Sequence, residues 1–424
     1  MARATVLPSA DMEQSIPETQ LTVLQTAIAH ITGRLEKCMT PQPMAVILTG
    51  SFARGEGSVL RMQNRARVLG DMEFMVLCPP RSDLRTMQKQ LRQEATQSTY
   101  DLAKKGIDCE IEFSAVDPKY LYSLRPQIFG YEFLNHGCVV WGDPDTLRTA
   151  PRFPASAIPL WDAWRMLNNR LLEQLQWVEA VTLENRTLLE PIFYQTIKCY
   201  LDLGTSLLIF GKRYKSTYAS RAAALMRWAR EEPRNALLST ISRAVAECTE
   251  FKLSPRIGRR VLGVRFDTTA EELRPDIQKM VVNFVRDAHE VWRWQACQLV
   301  GRSVDSDSDA KLTQEVLATQ GWKEKARGWA KIALMPNVRR QCRFAKRMRS
   351  LCRSGSPRYL IYSVAAELCF TIPAVMAGCE PDIAALELLL PVAFIEHENE
   401  MRPWWRLRAN VLSAWKLFLR NEWA

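Results

Sequence analysis

The spacing of apolar residues separates an alternating first part of the chain from a helical remainder. Leucine, valine and isoleucine recur at helical spacing over residues 17–39, which predicts an amphipathic helix. Short apolar runs at 43–50 and 71–78 predict two strands, and alternating acidic and apolar residues predict a third at 107–116. Residues 83–106 have a helical pattern that ends at a glycine. This order is typical of a small α/β unit.

After Pro151 the pattern is almost entirely helical, once a last short strand at 137–143 has closed the first unit. A polar segment at 301–314 is typical of a linker or a long loop. The sequence therefore predicts an α+β fold, in which an N-terminal mixed sheet with flanking helices precedes a large all-helical C-terminal region. The predicted segments are residues 1–150, 151–300 and 301–424.

The charge balance of the chain bears on its partners. The net charge is +11, which favours anionic partners such as nucleotides, nucleic acid or anionic lipid. A basic protein without a polyanionic partner is an equal alternative. Basic residues recur over 323–353, and tryptophans are frequent near the end of the chain, where they suit helix packing, base stacking or a membrane interface.

Cysteine usage and hydropathy indicate the compartment. The 11 cysteines occur singly, without a Cys-x-x-Cys pair, which argues against a zinc site and for reduced thiols. No apolar stretch runs for about 18 residues without interruption, so we expect no transmembrane segment. The first residues also lack the apolar core of a signal peptide. The expected localisation is therefore cytoplasmic.

Two predicted strands carry acidic residues, although strands usually avoid charge. Asp71 and Glu73 share one face of their strand because side chains two residues apart point the same way. Asp108, Glu110 and Glu112 share a face of the third strand by the same rule. If the strands are neighbours, these carboxylates converge and repel by about 4 kcal/mol per pair at about 4 Å. Either the face is solvated or it binds cations, and Mg²⁺ suits such oxygen ligands.

The first strand ends at Gly50 and Ser51, a pair suited to binding phosphate. Glycine allows the backbone to approach a phosphate closely, and serine can donate from its hydroxyl and its amide. Arg54 follows one short turn later and can face the same anion.

Together these features resemble the polymerase-β-type nucleotidyltransferase superfamily. Its pattern is an apolar strand, Gly-Ser, a spacer, acid-apolar-acid on the next strand and a third acid further on. The matching stretches are "TGSFARGEGS" at 49–58 and "DMEF" at 71–74, with "GYEFLNHGCVVWGDPDTL" at 130–147 in support. The chain is most similar to the bacterial branch with aminoglycoside adenylyltransferases and minimal nucleotidyltransferases. The resemblance covers about residues 40–220.

The resemblance implies roles for residues of this sequence. Gly50 and Ser51 would contact the triphosphate, and Asp71 and Glu73 would bind metal. The third acid is best matched by Glu110; Glu112 is the second choice and Asp108 the third. Two departures are a long spacer, in which "SVLRMQNRARVL" is expected to be an inserted loop near the acceptor, and glutamate rather than aspartate at the second acid.

In this superfamily a helical domain often lends a lysine and a following serine or tyrosine to the phosphates. Lys198, Tyr214 and Ser216 fit that pattern loosely. The alternative for Lys198 is an ordinary ion pair with Asp202, four residues along one helical face.

The function implied is a Mg²⁺-dependent nucleotidyltransferase, with two ions expected. It would move a nucleoside monophosphate from an NTP, with ATP favoured, to a hydroxyl and release pyrophosphate. Residues 1–150 would be the catalytic domain, 151–300 would complete the nucleotide cleft, and 301–424 would form a basic, tryptophan-rich helical region. The acceptor could be a small molecule, a sugar, RNA or a protein side chain. The alternative is an inactive member of the fold that acts as a scaffold for RNA or an anionic surface.

Overall fold

The computed structural model describes residues 18–179, 189–266, 274–303, 308–334, 342–344, 348–394 and 402–418. The chain is a mixed α/β protein, about 66% helical, and divides into two compact units. The first unit contains the described residues up to Asp162 together with Gly211–Pro233 and Ser242–Val261. The second contains Ala163–Phe210, Arg234–Ile241 and the described residues from Leu262 onward.

The sheet and its flanking helices form most of the first unit. In chain order, up to the end of the sheet, the elements are α1 (Glu18–Cys38), β1 (Ala45–Leu48), α2 (Gly50–Ala53), β2 (Val59–Arg61), β3 (Ala66–Leu77), α3 (Leu84–Lys104), β4 (Ile107–Val116), α4 (Pro118–Tyr122), α5 (Ile128–His136) and β5 (Cys138–Gly142).

Helices dominate the rest of the described chain. The elements are α6 (Leu160–Trp177), α7 (Leu189–Phe210), α8 (Tyr218–Glu231), α9 (Ala236–Leu253), β6 (Arg260–Val261), β7 (Val264–Arg265), α10 (Arg274–Val300), α11 (Asp309–Ala318), α12 (Trp322–Ala333), β8 (Cys342–Phe344), α13 (Met348–Ser354), α14 (Pro357–Phe370), α15 (Ile372–Met376), α16 (Ala384–Leu389), β9 (Val392–Phe394) and α17 (Pro403–Phe418).

The sheet of the first unit is mixed, as the sequence predicts. Strand β3 lies at its centre: it pairs antiparallel with β1 and β2 and parallel with β4. Strand β5 extends the sheet beyond β1, again antiparallel. The parallel β3–β4 pair is possible because α3 provides the crossover between the two strands.

The two faces of this sheet have different coverings, which positions the acidic residues. One face packs on α1 and α3, with Met72, Phe74 and Ile111 buried in that core. The opposite face is covered only in part, by a smaller apolar cluster that includes Met75 and Leu77. Along β4 the burial alternates from residue 107 to residue 114, so the acidic residues of this strand face away from the helical layer.

Two expectations about secondary structure are corrected. The stretch predicted to be an inserted loop forms strand β2, a tight turn and the first residues of β3, with Arg61 opposite Ala66. In the region predicted to be all-helical, the described residues include four short strands, β6 to β9, and β8 pairs antiparallel with β9. Short pairings of two or three residues leave too little alternation for a pattern to detect.

Among the helices that the structure describes, none has the length and apolar character needed to cross a membrane. The three predicted segments do not have the same bounds as the two units, because residues 211–233 and 242–261 belong with the sheet. Their predicted roles stay predictions.

Candidate functional site

Four acidic residues lie side by side on the face of the sheet away from α1 and α3. In the parallel β3–β4 register, Asp71 is opposite Glu110 and Glu73 is opposite Glu112. The apolar residues between them, such as Met72, point into the helical core, so the acids share the other face. Neighbouring strands are about 4.8 Å apart, which brings each pair of carboxylates within reach of one ligand.

This acidic face is accessible at one end and covered at the other. Glu110 and Glu112 are exposed, whereas Asp71 and Glu73 are half-buried. The next residue of β3 on the same face, Met75, is buried in the smaller apolar cluster. The acids therefore lie where the apolar cover of this face stops.

The turn after β1 is in direct contact with Glu73. The Thr49 amide donates to the Glu73 carbonyl at 2.9 Å, and the Thr49 hydroxyl lies 3.5 Å from Glu73 Oε2. Gly50 has φ +66°, and a Cβ built on it would lie 2.8 Å from Glu73 Oε2. Only glycine combines this backbone conformation with so close an approach. Gly50 and the half-buried Ser51 are thus held beside the acidic face.

Arg54 takes part in a buried ion-pair network. Its Nε donates to Glu56 at 3.1 Å, its Nη1 pairs with Glu132 of α5, and its guanidinium lies 5.1 Å from the Tyr218 ring centroid. Glu56 also accepts a hydrogen bond from the Ala219 amide in the first turn of α8. The segment that follows Ser51 is therefore tied to both α5 and α8.

Glu132 is the centre of this network. It accepts from Arg54 and Arg221, and the Tyr214 hydroxyl donates to it at 2.6 Å. Burial alone would raise the pKa of Glu132, but the two guanidinium groups and Tyr214 hold that pKa below its ordinary value. The same contacts raise the pKa of Arg54 and Arg221 despite burial, which would lower it. Glu132, Arg54 and Arg221 are therefore all charged at neutral pH.

Two other predicted phosphate contacts, Tyr214 and Ser216, have structural partners. Tyr214 is buried, and burial followed by the charge of Glu132 raises its pKa far above the ordinary tyrosine range. The Ser216 carbonyl accepts a hydrogen bond from Arg221. Lys198 belongs to α7, in the second unit, and Asp202, the residue expected to pair with it, pairs with Arg170. The roles predicted for these residues at phosphate stay predictions.

The donor set of the acidic face determines which metal ion it could bind. In the part of the chain that the structure describes, no three His, Cys, Asp or Glu side chains are grouped closely enough to hold an ion. Mg²⁺, however, usually keeps several waters and takes one or two carboxylates together with substrate phosphates. Asp71 and Glu73, beside the Gly50 turn, fit that smaller requirement. They do not form a closed protein cage.

Sequence reasoning missed Glu56, Glu132 and Arg221. Glu132 and its partners are 78 and 89 residues apart in the sequence, so no local pattern joins them. A weak signal was available in "ARGEGS", where an arginine and a glutamate follow the Gly-Ser pair within a few residues.

No protein-family model matches the chain, and no curated protein or solved structure matches it. The resemblance to nucleotidyltransferases therefore depends on the sequence motifs alone.

Proposed function

We propose that the protein is a metal-dependent nucleotidyltransferase, with its site on the acidic face of the first unit. The observation that carries this proposal is the contact of the Gly50 turn with Glu73, next to the Asp71–Glu110 pair. A phosphate-binding turn and a set of carboxylates are the two parts that transfer of a nucleotidyl group requires.

The residues would act as follows. The Ser51 hydroxyl and backbone amide donate to the β- and γ-phosphate oxygens, and Gly50 lets the chain approach them. Asp71 and Glu73 would hold Mg²⁺, which neutralises charge on the phosphates. Glu110, exposed opposite Asp71, or Glu112 in its place, would accept the proton of the acceptor hydroxyl.

In the proposed reaction the acceptor oxygen attacks the α-phosphorus of the NTP. A bond forms between this oxygen and the α-phosphorus, and the bond from the α-phosphorus to the bridging oxygen breaks. Pyrophosphate leaves with that bridging oxygen, and the hydroxyl proton passes to a carboxylate or to water. ATP is the nucleotide that the resemblance favours.

The first test is transfer of label from α-phosphate-labelled NTPs in the presence of Mg²⁺, with wild type beside Asp71→Asn. We expect the substitution to reduce turnover about 100-fold or more, because an amide lacks the charge that holds the ion. A matched control is Glu36→Gln, which neutralises an exposed acid on α1, the helix that covers the opposite face. The control should keep wild-type turnover.

Transfer that persists at the wild-type rate in Asp71→Asn would contradict the proposal. A wild-type protein that transfers no nucleotide from any NTP, yet binds polyanions with steep salt dependence, would instead support the scaffold alternative. The observation that favours this scaffold alternative is the net charge of +11.

A further inference from the structure

Two basic segments that are distant in sequence meet at one corner of the first unit. One is the β2–β3 turn, with Arg61 and Arg65, and the other is the end of α3, with Lys104 and Lys105. All four side chains are exposed. We call these four residues the basic corner.

The contact between the two segments is made by backbone. The Ala66 amide donates to the Gly106 carbonyl at 2.9 Å, and a Cβ built on Gly106 would lie 3.2 Å from the Asn64 carbonyl oxygen. Because Gly106 follows Lys105 directly, this contact fixes the lysines beside the arginines. The fold itself therefore brings the four positive charges of the basic corner together.

The basic corner adjoins the acidic face of the proposed active site. At the start of the parallel pair Arg67 is opposite Asp108, and Glu110 comes two residues later on the same face. Two residues along a strand correspond to about 6.6 Å. A ligand that spans this distance would contact the corner and Glu110 together.

The corner has the features that a nucleic acid strand needs. Arg65 pairs with Asp108 at 3.6 Å, but Arg65 is exposed and Asp108 is only half-buried. Ion pairs so open to water contribute little, so a phosphate can replace the carboxylate. Tyr100 is 58% exposed and lies one turn before Lys104, whose Nζ is 4.1 Å from its ring centroid. An exposed aromatic ring beside cations is a stacking platform for unpaired bases.

We propose that the basic corner binds a single-stranded nucleic acid, and that the terminal hydroxyl of this strand is the acceptor. The role of the strand as acceptor rests on the proposed function, whereas binding of the strand does not. The phosphates behind the terminal nucleotide contact the corner, a base stacks on Tyr100, and the end of the strand lies at Glu110. RNA and DNA share this chemistry, so both are included in the test.

The test is fluorescence anisotropy of the full-length protein with labelled RNA and DNA strands of about 12 nucleotides, without NTP. For single strands, the slope of log affinity against log salt is about −0.7 per phosphate bound. Replacing the four residues of the basic corner by glutamine should flatten that slope by about 0.7 for each phosphate that is no longer bound, and should weaken binding at least tenfold. The matched control replaces four other exposed basic residues of this unit: Lys37, Lys89, Arg92 and Lys119.

A second pair of variants separates stacking from charge. Tyr100→Leu should weaken binding about tenfold without changing the salt slope, since stacking involves no ion release. Tyr122→Leu, at a tyrosine that is 61% exposed, should leave binding unchanged. RNA binding well above DNA binding would identify RNA as the strand, and the reverse would identify DNA.

Three outcomes overturn the inference. They are equal loss of binding in the corner variant and its control, no binding of either strand by wild type, and binding only to phosphatidylserine vesicles. If the strands bind through the corner but wild type transfers no nucleotide, the proposed function fails and the binding surface stands. If wild type transfers nucleotide to a small molecule and binds no strand, the inference fails and the proposed function stands.

Discussion

Single residues fix the geometry of the turn beside the acidic face, and Gly50 is the most constrained of them. Its φ of +66° is costly for any residue with a side chain, and Glu73 occupies the space that a Cβ would take. The effect of the positive φ can be separated from the effect of the Glu73 contact only by comparison with a second glycine. That glycine must have a positive φ and no neighbour at its Cβ position. Gly258 is such a residue, with φ +81° and nothing within 4 Å of its Cβ position.

We therefore expect Gly50→Ala and Gly258→Ala to have similar effects on stability and different effects on activity. Each should lower the free energy of unfolding by about 1–2 kcal/mol, the cost of the left-handed conformation. In Gly50→Ala the added methyl also displaces the Glu73 carboxylate, so Mg²⁺-dependent transfer should fall about tenfold or more. Denaturant unfolding and turnover of both variants check this. Equal turnover in the two variants would show that the position of Glu73 does not matter.

Secondary-structure elements are joined to that turn by the Glu132 network. Helix α5 contributes Glu132, α8 contributes Arg221 and the Ala219 amide, and the loop before α8 contributes Tyr214. Removing the Glu132 carboxylate would strongly destabilise the protein, because two buried guanidinium groups would then lack a negative partner. A smaller change in the same network is therefore more informative.

Tyr214→Phe keeps the ring and removes two hydrogen bonds, the one that the hydroxyl donates to Glu132 and the one that it accepts from Arg221 at 2.8 Å. Because both bonds are made to charged, buried groups, we expect the free energy of unfolding to fall by about 1.5–3 kcal/mol or more. Tyr122→Phe, at an exposed tyrosine, should change it by less than about 0.5 kcal/mol. Hydrogen exchange should also quicken at the Glu56 amide, which donates to the Ser51 carbonyl. Unchanged exchange there would mean that the network does not support the turn.

The network also predicts how stability depends on pH. The pKa of Glu132 is lower in the folded protein than its ordinary value of 4.5. The contribution of the ionised Glu132 to the free energy of unfolding is therefore complete above about pH 4.5. That contribution is lost as the pH falls through the lower pKa that Glu132 has in the folded protein.

The elements also show what a pattern in the sequence can and cannot predict. Strict alternation placed the acids of β4 on one face because a strand has a period of two residues. The β2–β3 hairpin was missed because its turn lies within a polar, basic stretch that resembles a loop. The Asp71–Glu110 register and the Glu132 network depend on pairings across long separations, which leave no periodic signal. The sequence therefore predicts which residues belong to the candidate site, but not how they are positioned relative to one another.

At the scale of the whole molecule, the first unit is discontinuous in sequence. The chain leaves it after Asp162 and returns with Gly211–Pro233 and Ser242–Val261. The first returning segment contains the residues that bind Glu132 and Glu56 from outside the first 150 residues, namely Tyr214, Ala219 and Arg221. A boundary at residue 150, where the sequence pattern becomes helical, would cut through the network that supports the Gly50 turn.

This discontinuity yields a prediction about fragments. A fragment of residues 1–150 keeps Arg54 and Glu132 but lacks Arg221, so we expect non-cooperative thermal unfolding and rapid proteolysis near residues 50–57. Adding a peptide of residues 211–233 in trans should restore protection, since it supplies the missing cation and the first turn of α8. The same peptide with Arg221→Gln is the matched control and should protect less. Cooperative unfolding of the fragment alone, with the turn already protected, would show that the first unit needs nothing beyond residue 150, where the sequence pattern changes.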